Sequence, residues 1–138
     1  MITSPEKPPN YDLIADRFGD LNIPNAIFAY GDTIFNVKEP LAPHIIAHEM
    51  KHLEQQEKTS AEEWWAEYLT NDEFRISQEV EAYHQQYVYI CTRIKDKNAQ
   101  TRLLNIMVKQ LVSLSSLLDT HMATKSIKTG KLTQYANR

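Results

Sequence analysis

Ala42-Pro43-His44-Ile45-Ile46-Ala47-His48-Glu49-Met50-Lys51-His52-Leu53-Glu54-Gln55-Gln56-Glu57 has the pattern of one amphipathic helix. Pro43 suits its first turn, where a missing N–H costs no intrahelical bond. Ile45, Ile46, Met50 and Leu53 mark the apolar side; Lys51, Glu54, Gln55 and Glu57 mark the exposed side. The histidines fall along the apolar border. Residues four apart share one helix face, so His48 and His52 can reach a single metal ion, with Glu49 beside them. Two helical imidazoles, a third ligand and an open water position make a catalytic zinc site. The spacing therefore predicts a zinc-dependent hydrolase, most simply a peptidase. Chance gives such a run in a chain this short on the order of one per cent of the time. Its context has to carry the rest: a helix, an amphipathic one, and a third ligand downstream.

Working outward, residues 1–10 are Pro-rich and predict an extended arm. Tyr11–Phe18 predicts a short helix, with Asn10 as N-cap and Gly19 as stop. Residues 25–37 place aromatic and β-branched residues around Gly31-Asp32, the pattern of a hairpin. That hairpin offers an edge strand to an extended peptide. After the central helix, Ser60 and Glu63 form a capping box opening a helix through Trp64, Trp65 and Tyr68. Consecutive tryptophans face different ways, so one is expected in the core and the other on a contact surface. Thr70 or Asn71 opens a long helix over about 72–97, and Asn98 separates it from a last helix over about 99–122. The last helix is apolar on more than one side, from Leu103 to Leu118, which suits a core position or a homo-oligomer surface. His121, near its expected end, would complement the helix dipole.

Composition bounds these readings. The chain has 138 residues, enough for one domain with a real core. Its apolar fraction of 42% and charged fraction of 24% are those of an ordinary globule. Three glycines leave little room for a Gly-rich all-β design, and the single Cys91 excludes an internal disulfide and a Cys-rich zinc site. Cys91 itself, in an apolar stretch, fits a buried structural thiol. The first residues lack a basic segment followed by an apolar run, so neither a signal peptide nor a membrane span is expected, and the predicted compartment is cytoplasmic. Residues 39–81 carry eleven acidic and three basic side chains; residues 123–138 carry four basic side chains and no acid. The simpler reading of that basic tail is a solvated end. Without interleaved aromatics it is weak evidence for nucleic acid.

The third ligand is sought among Glu79, Glu81 and His84. They share a helix but not a face, since Glu79 and Glu81 stand about 200° apart. Ala82, one turn after Glu79, leaves a small surface that a metal helix could approach, which favours Glu79.

Glu79-Val80-Glu81-Ala82, one short helix after His48-Glu49-x-x-His52, resembles the second signature of gluzincin-type metallopeptidases. There an E-x-x-A segment supplies the third zinc ligand from its first Glu. The chain also looks like the small H-E-x-x-H proteins encoded by tailed bacteriophages. The likeness lies in Tyr30-Gly31-Asp32-Thr33-Ile34, Gln55-Gln56, Trp64-Trp65 with Tyr68-Leu69, and Phe74-Arg75 with Glu79 to Tyr83, over about residues 27–87. The resemblance implies a small zincin-like domain over residues 1–138, α+β but mainly α. A short N-terminal β-hairpin would be followed by the metal helix and two or three further helices. It implies one Zn2+ per chain on His48, His52 and Glu79, with Glu49 as catalytic base. Its partners would be a polypeptide substrate or phage structural proteins, in a host cytoplasm or a virion. Tyr83 stands where many gluzincins carry Asp, so a carboxylate that orients a ligating His comes from elsewhere or is absent. Tyr83, His84 and Tyr87 are near enough along the helix to serve an oxyanion, although structural roles suit them better. His44, one turn before His48, fits a supporting or exposed position. The alternative to an enzyme is a virion structural or accessory protein whose metal is a folding staple or a relic.

Overall fold

The computed structural model describes residues 1–19 and 26–132. The fold is α+β and mainly helical, with one small sheet. The chain divides into two compact units, residues 1–71 and residues 72–138.

In the first unit, β1 (Ile2–Thr3) is followed by α1 (Tyr11–Phe18), β2 (Phe28–Tyr30) and β3 (Thr33–Phe35). The strand order is β1-β3-β2, with β1 parallel and β2 antiparallel to β3. Gly31 takes a φ of 70° at the first central position of the two-residue turn between β2 and β3, where glycine carries no Cβ penalty. The expected arm is extended but not free. Ile2 and Ser4 donate their N–H groups to Asp32 and Ile34, and Asn36 and Val37 donate back to Glu6 and Ser4. α1 has its expected bounds, and Gly19 caps it with a φ of 85°. Asn10 sits at the N-cap position, yet its side chain makes no capping bond.

The central helix, α2, spans Pro43–Gln56. Its buried side chains are His48, Glu49, His52, Leu53, Gln55 and Gln56. Gln55 is therefore inside, not exposed as its polarity predicts, and Met50 is outside at 48% exposure. Both histidines are on the covered face. α3 (Ala61–Thr70) starts where the capping box predicts, with the Ser60 hydroxyl accepting from the Glu63 N–H. Trp64 and Trp65 are both buried, which corrects the expectation of one contact residue. α3 is covered on two sides: Trp64 meets the His52 ring, and Trp65 meets Phe28 and donates to the Ala29 carbonyl.

The second unit holds α4 (Asp72–Arg93), α5 (Lys97–Ser113) and α6 (Thr120–Thr129). They close on a core of Ile76, Val80, Ile90, Met107, Leu111, Met122, Ala123 and Ile127. α4 ends before Ile94, four residues earlier than the sequence suggests, and Asp96 rather than Asn98 marks the start of α5 by accepting from the Asn98 N–H. The long last helix is two helices. The chain turns at 114–119, where the Ser115 hydroxyl accepts from the Leu117 N–H and Asp119 caps α6 by accepting from Met122. The break lets α6 fold back, so the wide apolar stretch is shared among α4, α5 and α6. Among its described residues Ile106 stays exposed, at 52%. It also moves His121 from a helix end to the first turn of α6, where the dipole gives a cation no help. Much of the expected solvated tail is ordered, with Ala123, Ser126 and Ile127 inside and Lys125 and Lys128 outside. Arg138 lies outside the described residues.

Gly130 ends α6 in the left-handed region, at a φ of 75°. A Cβ there would lie 2.7 Å from Cδ2 of His84. At Gly31 an added Cβ would meet nothing within 4 Å. Left-handed backbone costs an L-residue about 1–2 kcal/mol. Gly31→Ala should lose about that much in urea unfolding, and Gly130→Ala should lose more because the imidazole must also move. Equal losses would show that the His84 ring gives way freely.

Candidate metal centre

His48 and His52 are placed by successive turns of α2. Both are buried, at 7% and 5% exposure. Their ring centroids are 4.9 Å apart with the planes at 79°, and their Nε2 atoms are 3.2 Å apart. At this separation either one Nε2 donates to the other in an N–H···N hydrogen bond, or both lone pairs face one metal ion. Nitrogens on one tetrahedral zinc, each about 2.0–2.1 Å from it, stand roughly 3.3 Å from each other. The pair thus fits the bite of one zinc ion without rearrangement of α2.

Three neighbours fix the geometry. The Trp64 indole packs on the His52 ring with centroids 5.2 Å apart and keeps water off one face. On the other ring nitrogen of His52, Nδ1 lies 2.9 Å from Gln55 Oε1. Glu49, adjacent to His48 and 7% exposed, brings Oε2 to 3.8 Å from His48 Nε2. A buried carboxylate beside two imidazoles is the arrangement in which a proton can be held and moved locally.

Gln56, next to Gln55, serves the sheet instead. Its Nε2 donates to the Ala29 carbonyl at 2.8 Å, and its Oε1 accepts from the Gly31 N–H at 2.7 Å. Trp65 Nε1 donates to the same Ala29 carbonyl at 2.9 Å. Ala29 pairs with Ile34 on β3, and β2 is the last strand of the sheet on that side. The carbonyl of the expected peptide-docking edge is therefore already occupied by side chains of α2 and α3. His44, one turn before His48, is half-buried, and burial lowers its pKa below that of a free imidazole.

Glu79, the predicted third ligand, belongs to the second unit, on α4, where it is buried at 7% exposure. Ala82, one turn on, is fully buried, and Glu81 is half-buried. The other candidates on α4 are engaged within their own unit. His84 Nδ1 lies 2.8 Å from the Ile127 carbonyl, one of the last-turn carbonyls of α6. Tyr83 donates to Gln110 Oε1 at 3.3 Å. Tyr87 is hydrogen-bonded to Cys91, which raises its pKa, as does burial. Cys91 is half-buried rather than sealed in the core.

Sequence reasoning singled out His48, Glu49 and His52 from their spacing, and all three are buried on α2. It missed Gln55 and Gln56, whose polarity on an otherwise amphipathic helix signals solvent. Among the described residues no helix is long and apolar enough to cross a membrane. No family model, no curated protein and no solved structure matches the chain.

Proposed function

We propose that this protein is a zinc-dependent peptide hydrolase, with His48, His52 and Glu79 as metal ligands and Glu49 as general base. One observation carries the proposal: the buried His48 and His52 Nε2 atoms stand 3.2 Å apart, close to the separation of two nitrogens on one tetrahedral zinc. Support for the third ligand comes from Glu79 itself, a buried carboxylate on α4 one turn before the fully buried Ala82, in keeping with the resemblance noted above. Two imidazoles and one carboxylate suit zinc better than a hard cation such as magnesium.

Bound zinc would supply a Lewis acid and a water whose pKa is lowered to about 7. The chain's own residues do the rest. His48 and His52 bind as neutral imidazoles through Nε2, and Glu79 binds as a carboxylate. The Glu49 carboxylate accepts the proton of the attacking water and returns it to the leaving amine nitrogen. Its burial beside His48 holds it in place without a flexible search.

A second reading has an observation of its own. The Ala29 carbonyl on the outer edge of β2, where an extended peptide would pair, already accepts from Gln56 and Trp65. This favours a protein in which the metal staples the fold, a structural or accessory component of a phage particle in keeping with the resemblance noted above.

Elemental analysis of the full chain separates these readings from coincidence. About one zinc per chain is expected, falling to nearly none in His48→Ala. Chelator should lower the thermal midpoint, because a ligand that binds the folded state alone stabilises it by mass action. Glu49→Gln should keep the zinc. In the enzyme reading it should also slow cleavage of a labelled peptide library by about 10²–10⁴-fold. Wild-type protein that holds zinc and cleaves nothing would leave the staple. Wild-type protein that holds none, even with zinc supplied, would overturn both.

A further inference from the structure

We infer that Gln55 is a positioning residue for the metal centre, setting the tautomer and ring angle of His52 with an amide where a carboxylate would be expected. The inference rests on the reading of His52 as a metal ligand.

Gln55 is three residues after His52 on the same helix, so its side chain lies over the same face. It is 4% exposed, which leaves little freedom to swing away. Its Oε1 faces His52 Nδ1 at 2.9 Å, a normal hydrogen-bond length. An amide oxygen can only accept, so Nδ1 must carry the proton. In a neutral imidazole that leaves Nε2 bare. Nε2 is the atom that meets His48 Nε2 at 3.2 Å. The same contact therefore frees the ligating lone pair and fixes where it points. Trp64 restricts rotation of the ring from another side.

A ligating histidine usually has such an acceptor on its second nitrogen, often a carboxylate. Here the acceptor is neutral and comes from the metal helix itself. No carboxylate beyond Glu49 and the proposed ligand Glu79 is then needed at the centre, where a further like charge would disfavour the ionised base. Tyr83, at the place where a carboxylate is expected, donates to Gln110 instead.

The test uses the full chain as wild type, Gln55→Leu and Gln55→Glu. Histidine-labelled apo protein is examined by long-range ¹H–¹⁵N spectroscopy at about pH 8, where an imidazole is neutral. Wild type should show His52 with a proton on Nδ1 and none on Nε2; the reverse pattern overturns the inference. Zinc affinity is then measured by competition with a chelating dye. Gln55→Leu should bind about 10–100-fold more weakly, while Gln55→Glu, which keeps the acceptor, should match or exceed wild type. Equal affinity in all three proteins also overturns it. Should Gln55→Leu fail to fold, the wild-type spectrum and Gln55→Glu still decide. A wild type that takes up no zinc refutes the metal reading alone, because the apo spectrum judges the Gln55 contact separately.

Discussion

A helix that buries His48, Glu49, His52, Gln55 and Gln56 on one face has to satisfy every donor and acceptor they carry, because an unpartnered polar group out of water costs about 1–3 kcal/mol. The first unit is arranged around that demand. Gln56 is answered by the backbone of β2, at Ala29 and Gly31. Gln55 and His52 answer each other. The Ala29 carbonyl takes a second donor from Trp65, so a single acceptor fastens β2, α2 and α3 together. Hydrophobic contact contributes as well, through Ala29, Ile34 and Leu53 and through the buried rings of Phe28, Trp64, Trp65 and Tyr68. Polar pairing, being directional, sets the register of α2 against the hairpin in a way that apolar contact alone would not.

The same demand explains why α2 looks ordinary in sequence. Binary patterning assumes that the covered face is the apolar face. α2 breaks that rule at Gln55, Gln56 and Met50, in the turns around the two histidines. Such local inconsistency is expected where a site has been built into an element. The core of the second unit places Ile76, Val80, Met107, Leu111 and Ile127 inside at helical spacing, yet it too buries polar groups, among them Arg75, Gln86 and Ser126.

What could be foreseen from the chain follows these two regimes. Elements bounded by strong local chemistry were legible: α1 by Gly19, α3 by the Ser60 cap, β2 and β3 by Gly31 and their flanking aromatics. The predicted metal helix was right to within a residue at each end. The boundary between α5 and α6 was not legible. Its break is made by Ser115 and Asp119 within a continuous apolar run, neither of them a Gly or Pro, and the run hides it. His121 was consequently assigned to the wrong end of a helix. β1 is two residues long and gains its meaning only from Asp32 and Ile34, about thirty residues away. At the site, the spacing of His48, Glu49 and His52 is a local fact and was visible. That Gln55 faces inward depends on which way α2 is turned, and that is set by the hairpin.

The pairing of β1 with β3 also bears on how the chain reaches this state. Among the described residues, the core of the second unit is built by three helices consecutive in sequence, α4 to α6, and the segments that join them. Such local topology closes quickly. The first unit instead has to bring Ile2 and Thr3 beside Thr33 and Ile34 across an intervening helix, and a loop of about thirty residues must lose its freedom before those few hydrogen bonds repay it. The hairpin has to exist before β1 has a surface to join. The sheet edge nearest the N-terminus is thus the natural last step in assembly of the first unit, and the first to come undone.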